Sequence, residues 1–438
     1  APNRTRVFQS GYAILPIYGG NGSWETFGVI SESYPLEETD RGTTVKEGEE
    51  MKKTIRDVDV SGKRVLVRVD FNVPLKNGKV TSDNRIRAAL PTIRYLLDQN
   101  ARVILCTHLG RPKGDVVEDL RLDPVAKRLG ELLEMKVMKA GNCVGPEAEE
   151  AVKHLQAGQV LLLENVRFHP EEKKNDIDFA KKLSKLADIY VNDAFGAAHR
   201  AHASTEGLAH RLPAVAGLLM ADELETLGRL LEAPAKPFIA VLGGAKVSDK
   251  IGVVQHLLGQ ANHLLIGGGM ANTFLKAKGI EVGQSLFEQD SLEEAGQILD
   301  SAGDRLILPV DAVVAKELAE DATPQTVSVD QVPQDRKILD IGPQTIDLFK
   351  EKLSSAKTVV WNGPLGAFET SPFAQGTLAI ARFLPQLEAA TIVGGGDTVP
   401  ALHQVGAKGI THISTGGGAF LDFVQGKELP GVAALEDE

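Results

Sequence analysis

Short runs of aliphatic and β-branched residues recur along this chain, each leading into a loop rich in glycine, proline or charge and then into a stretch of helical length. In the first half they fall at 64–69, 102–106, 160–163 and 189–191. In the second half they fall at 238–242, 263–266, 305–308, 358–361, 390–393 and 412–414. These runs lack the polar alternation of a strand with one wet face, so they predict parallel strands buried on both sides. The expected fold class is α/β, with two Rossmann-like domains, each a parallel sheet covered by helices on both faces. Between the two sets, Pro-Ala-Val-Ala-Gly at 213–217 opens a helical pattern over 218–231, and prolines at 234 and 237 close it. A helix stopped in this way reads as a domain connector. The expected division is a first domain over 51–217, a connecting helix and hinge over 218–237, a second domain over 238–425 and a tail over 426–438.

Residues 1–50 break the pattern. They hold Tyr12, Tyr18, Trp24 and Tyr34, a Gly-Gly-Asn-Gly-Ser stretch at 19–23, and no helical periodicity. Met51 then opens Met-Lys-Lys-Thr-Ile-Arg-Asp, and the preceding Lys46-Glu47-Gly48-Glu49-Glu50 corresponds to purine-rich codons, as in a translated ribosome-binding site. Met51 is therefore expected as the native start, with 1–50 an appendage; the alternative is an N-terminal arm with its own partner.

Composition narrows the function classes. A chain of 438 residues exceeds what one hydrophobic core usually supports. A net charge of -11 argues against a general nucleic-acid or membrane-surface binder, which would carry a basic footprint. Cys106 and Cys143 give neither a disulfide framework nor a metal-ligand spacing. With no long apolar run and no secretory signal, a cytoplasmic protein without nucleic-acid or membrane partners is expected.

In open parallel sheets ligands bind beyond the carboxyl ends of the strands. In the first half those ends deliver Asp70-Phe71-Asn72, Thr107-His108-Leu109-Gly110-Arg111, Glu164-Asn165-Val166-Arg167 and, a little later, His199-Arg200. One arginine after a strand is ordinarily a solvated surface residue. Repeated at strand after strand, basic residues build a positive cleft that is costly unless an anion fills it. The second half instead delivers Gly243-Gly244-Ala245-Lys246, Gly267-Gly268-Gly269, Asn362-Gly363-Pro364, Gly394-Gly395-Gly396-Asp397-Thr398 and Ser414-Thr415-Gly416-Gly417-Gly418. Glycine lets backbone N–H groups approach phosphate closely, and an Asp beside such a loop suits Mg²⁺. Neither a Walker sequence nor an early dinucleotide fingerprint occurs, so a nucleotide polyphosphate held without a P-loop is the sharper reading.

Across 51–438 the sequence resembles the phosphoglycerate kinase family. The motifs that carry the resemblance are Arg68-Val69-Asp70-Phe71-Asn72-Val73-Pro74, His108-Leu109-Gly110-Arg111-Pro112, Glu164-Asn165-Val166-Arg167-Phe168, Asp193-Ala194-Phe195-Gly196 and the glycine loops above. The resemblance implies reversible phosphoryl transfer between 1,3-bisphosphoglycerate and ADP, giving 3-phosphoglycerate and ATP, with Mg²⁺. It implies glycerate contacts from Asp70, Asn72, Arg85, His108, Arg111, Arg167 and Arg200. It implies nucleotide contacts from Gly243, Lys246, Lys250, Gly268, Asn362, Glu369, Gly395, Gly396, Asp397 and Thr398, with Asp397 at the metal. Arg85, Lys246, Gly395 and Gly418 are the expected catalytic positions, and a monomer is expected. Two departures stand out: Leu339-Asp340-Ile341-Gly342-Pro343 lacks the glycine that often precedes it, and Phe420-Leu421-Asp422 replaces a smaller residue and a Glu.

The residue types fit that chemistry. A carboxylate nucleophile is already ionised at neutral pH and needs no general base. What must be supplied is alignment and positive charge for the transferring phosphoryl, by domain closure that excludes water. A non-catalytic binding protein and an NAD-dependent dehydrogenase are the competing classes; Mg²⁺-dependent turnover and quenching of NADH fluorescence discriminate them.

Overall fold

The computed structural model describes residues 51–438. The expectations for 1–50 lie outside the described residues. Two six-stranded sheets are present, with all strands in each parallel. The first runs in the order Val137–Lys139, Val160–Leu162, Arg102–Cys106, Arg64–Arg68, Ile189–Asn192, Ala214–Ala216. The second runs Leu306–Ile307, His263–Ile266, Phe238–Leu242, Thr358–Asn362, Ala390–Gly394, His412–Ser414, which is the common Rossmann strand order. In each sheet the chain order reverses beside the first strand, at Arg64–Arg68 against Ile189–Asn192 and at Phe238–Leu242 against Thr358–Asn362. Those two reversals are where ligands are expected.

The strands are apolar throughout because both faces are covered. Leu66, Ile104 and Tyr190 point to one side of the first sheet; Val65, Val67, Val103 and Leu105 point to the other. The same alternation divides Phe238, Ala240 and Leu242 from Ile239 and Val241 in the second. One buried cluster is common to both sheets and runs through Met220 and Leu227 of the helix Leu218–Glu232. The predicted connecting helix thus lies within the shared core.

Three features go beyond the pattern. Val137–Lys139 and Ala214–Ala216 are short edge strands of three residues each. Gln325–Ser328, Asp311–Ala315 and Lys337–Ile341 form an antiparallel sheet over Leu275, Val282 and Val332. Finally, the stretch expected as a tail packs on the first sheet. Leu429 and Leu435 are buried, Gly431 N donates to Ala198 O at 2.8 Å, and Glu436 N donates to Ala214 O at 2.9 Å.

Candidate active site

The loops at the carboxyl edge of the first sheet are held by their own polar side chains. Asn72 Oδ1 accepts from Gly110 N at 2.9 Å, and Arg167 Nη1 donates to Gly110 O at 2.8 Å, so the His108–Arg111 turn is gripped from both sides. Asn165 accepts from Leu109 N at 3.1 Å and donates to Leu109 O at 2.8 Å. Arg85, in the first turn of the helix Asn84–Asp98, reaches back to Asp70 Oδ2 at 2.8 Å. Arg111 and Arg200 are exposed, and Arg200 Nε lies 2.9 Å from His199 Nε2. The structure therefore gathers Asp70, Asn72, Arg85, His108 and Arg167 on one edge. Arg111 stands at its margin without a hydrogen bond or ion pair among the described residues.

The electrostatics of this edge are those of an anion site. Burial, with Arg68 and Arg200 nearby, pulls the Arg167 guanidinium down to about 10, and its Nε has no partner among the described residues. Burial holds His108 well below the usual histidine range, and Arg68, Arg167, Arg85 and Arg200 push the same way. His202 falls to about 4, chiefly through burial and then Arg167. Arg68, Arg167 and Arg200 crowd this strand edge without an ion pair among the described residues, and only Arg85 has one, to Asp70; such a cluster is costly to fold, and an oxyanion among them lowers the cost.

On the second sheet four glycine-bearing loops meet at the strand reversal. Gly243 and Gly363 cross so closely that a Cβ on Gly363 would lie 2.5 Å from Gly243 C. Asn362 Nδ2 donates to Gly394 O at 2.8 Å, and Thr398 Oγ1 accepts from Gly363 N at 2.7 Å, which fixes the 394–398 loop. Lys250 Nζ donates to Gly243 O at 2.5 Å and to Asn362 O at 3.2 Å. Burial pulls this amine down to about 8 against the opposing fields of Asp397 and Asp249.

Not every expected glycine has an amide to offer. Gly243 N, Gly244 N and Gly268 N are committed to Asn362 O, Pro364 O and Leu365 O. The amides of Gly396, Asp397, Gly417 and Gly418 have no acceptor among the described residues. Gly417 lies against Gly395 and Gly396, so these four N–H groups belong to one neighbourhood built from two adjoining loops. Lys246 and Asp397 belong to these loops and Glu369 follows the 362–366 turn in sequence; all three are exposed, without hydrogen bonds or ion pairs among the described residues.

The two edges are joined through residues that the sequence had placed in motifs, Asp193, Phe195, His199, Gly416 and Gly418, and through Glu223 and His412, which it had not singled out. Asp193 Oδ1 accepts from Leu219 N at 3.0 Å and Met220 N at 3.3 Å, seating the connecting helix on the first sheet. Burial pushes Asp193 up to about 7. From the same helix, buried Glu223 accepts from His412 Nε2 at 2.8 Å, Thr415 N at 2.6 Å and Thr415 Oγ1 at 2.8 Å. Gly416 packs on the Phe195 ring, and a Cβ on Gly418 would lie 2.9 Å from His199 Nε2. An acidic residue inside an amphipathic helix carries no sequence signal for such a role.

Comparisons with known proteins agree with this geometry. The sequence profile described as phosphoglycerate kinase matches residues 55–427. The phosphoglycerate kinase of Pelotomaculum thermopropionicum is 60% identical over 391 residues, covering 88% of this chain and 100% of that protein. That of Moorella thermoacetica is 58% identical over the same length and coverage. Among solved structures, the phosphoglycerate kinase of Coxiella burnetii has a TM-score of 0.77 at 43% identity, covering 87% of this chain and 98% of that one. The enzyme from Pyrococcus horikoshii has a TM-score of 0.80 at 38% identity, with the same coverage.

Proposed function

Because the chain belongs to the phosphoglycerate kinase family and so catalyses reversible phosphoryl transfer between 1,3-bisphosphoglycerate and ADP, we propose that its two sheet edges divide the substrates between them. The Asp70, Asn72, Arg85, His108, Arg111, Arg167 and Arg200 edge takes 3-phosphoglycerate. The nucleotide lies on Gly243, Lys246, Lys250, Gly268, Asn362 and 395–398, with Glu369 toward the ribose. The observation that carries this reading is the contrast between a charge-crowded Arg167, whose Nε has no partner among the described residues, on one edge and four amides without an acceptor among those residues on the other.

Asp397 suits a Mg²⁺ that also binds nucleotide phosphates. Among the described residues it is exposed and has no partner, and no group of three or more His, Cys, Asp or Glu forms a cage of its own. Bound there, the ion would neutralise phosphate charge. The substrate carboxylate attacks without a general base, while Arg85, Lys246 and the amides of the 394–398 and 416–418 loops align and stabilise the transferring group. Closure of the first domain (51–217) on the second (238–425), about the 218–237 hinge, would exclude water from the acyl phosphate. Both edges belong to one chain, so a monomer suffices, and a cytoplasmic location suits a glycolytic enzyme. No helix among the described residues is long and apolar enough to cross a membrane.

Paired kinetics test the division. Arg111→Ala is expected to raise KM for 3-phosphoglycerate by about tenfold or more, with KM for MgATP unchanged, as for loss of one charged hydrogen bond. Asp397→Asn should do the reverse. A crossed pattern overturns the assignment.

Lys250 gives a pH signature. Its amine is depressed in the free protein, so above pH 8 most copies lack the proton that a bound phosphate would favour. Nucleotide binding should therefore take up a proton in the window from about pH 8 toward the ordinary lysine range, and weaken as pH rises through it. Calorimetry at pH 8.5 in two buffers of different ionisation enthalpy measures this. Lys250→Met should abolish the uptake, and an undiminished value in that variant would refute the assignment.

A further inference from the structure

Behind the glycerate edge lies a polar chain that the reaction as described does not use. Arg68 occupies the last position of the central strand Arg64–Arg68 and is 1% exposed, an unusual place for a guanidinium. Its Nε donates to Ser204 Oγ at 2.8 Å, its Nη1 to Val69 O, and its Nη2 lies 3.0 Å from His108 Nδ1. Ser204 in turn gives its hydroxyl proton to Glu172 Oε1 at 2.6 Å and its backbone N–H to Glu172 Oε2 at 2.9 Å. Glu172 is fully buried.

The direction of each bond from Arg68 is forced. A guanidinium has only donors, so Ser204 Oγ must accept from Arg68, and with Glu172 ionised, which the Arg68 charge and the two Ser204 donors favour against the burial that raises it, the hydroxyl proton goes to Glu172. His108 Nδ1 must likewise accept from Arg68, which leaves the ring proton on Nε2. We propose that Glu172, Ser204 and Arg68 form a buried relay that fixes His108 as the neutral Nε2–H tautomer, so that it meets the glycerate ligand as an uncharged N–H donor. Arg68 and Glu172 are then positioning residues, and the last clause of the proposal rests on the placement of 3-phosphoglycerate given above.

The surroundings act in the same sense. The charged groups bearing most strongly on His108 are Arg68, Arg167, Arg85 and Arg200, all cations, while the Glu172 carboxylate lies beyond Ser204 from Arg68. A second proton on Nδ1 would point at an N–H of Arg68. An imidazolium therefore has no place here, and the ring keeps one donor direction across the working pH range.

Nitrogen NMR of the full chain labelled at histidine tests this without ligand, and so independently of where 3-phosphoglycerate binds. At pH 6 and 7.5, His108 should show a pyridine-like Nδ1 and a protonated Nε2. Arg68→Met should release the constraint, giving a tautomer mixture or an imidazolium at pH 6, and raise KM for 3-phosphoglycerate by about tenfold with a smaller change in kcat. Arg68→Lys, which retains a donor toward Nδ1, should restore the tautomer. An Nδ1–H ring or an imidazolium in the native protein overturns the proposal, as does an unchanged ring in Arg68→Met. Should Arg68→Met fail to fold, Ser204→Ala, which breaks the relay while leaving Arg68, must shift the His108 resonances; unshifted resonances count against the relay.

Discussion

Arg85→Ala is expected to lower kcat for acyl phosphate formation from 3-phosphoglycerate and MgATP by about 10²-fold or more, with kcat/KM falling in parallel. The expectation rests on where the guanidinium is held. Arg85 stands in the first turn of a 15-residue helix, and one of its nitrogens is committed to Asp70 Oδ2 at 2.8 Å. That ion pair aims the group without consuming it, since the remaining N–H groups have no comparable partner among the described residues. The side chain is one-third exposed, so the pair adds about 1 kcal/mol or less to stability after solvent screening. The variant should therefore fold normally and fail in the transferring step. Stopped-flow or coupled-assay kinetics beside a thermal melt separate the two, and a retained kcat removes Arg85 from the chemistry.

How much of this was legible beforehand depended on the range of the interaction. Strands such as Phe238–Leu242 and Thr358–Asn362 announce themselves because both faces are buried, and nothing polar interrupts them. Gln325–Ser328 is largely exposed and Val137–Lys139 is only three residues long, so neither offers a period to read. The return of Leu429 and Leu435 to the first sheet is a long-range contact with no local signature. At the site, sequence placed the polar residues at strand ends but could not say which amides were already spent. Gly268 and Gly396 look alike in a triple-glycine motif, yet one donates within the fold and the other does not. Arg68 could be read as one letter of a motif, whereas its burial and its reach to His108 depend on Ser204 far along the chain.

The glycine loops carry the other large effect, and two of them should respond to the same substitution in opposite ways. Gly363 has φ +94°, and a Cβ there would meet Gly243 C and Lys250 Nζ, each at 2.5 Å. Neither neighbour can withdraw easily. Phe238–Leu242 and Thr358–Asn362 are paired in register up to Leu242 and Asn362, and Lys250 Nζ is bonded to both turns. A side chain forced into a left-handed backbone costs about 1–3 kcal/mol, and overpacking about 1–3 kcal/mol more. Gly363→Ala should then lose roughly 3 kcal/mol or more and lower Tm by on the order of 4 °C or more. Gly396 is exposed, and nothing among the described residues lies within 4 Å of its would-be Cβ. Gly396→Ala should melt as the native protein does, because an exposed substitution of this kind changes stability by about 0.5 kcal/mol at most. Its methyl would instead stand beside the free amides that the nucleotide phosphates are proposed to approach, and KM for MgATP should rise. Melting curves and nucleotide kinetics on both variants decide the matter. A Gly363→Ala protein with native Tm would mean that the crossing of the two turns does not constrain the fold. A Gly396→Ala protein with native KM would move the phosphates away from the 394–398 loop.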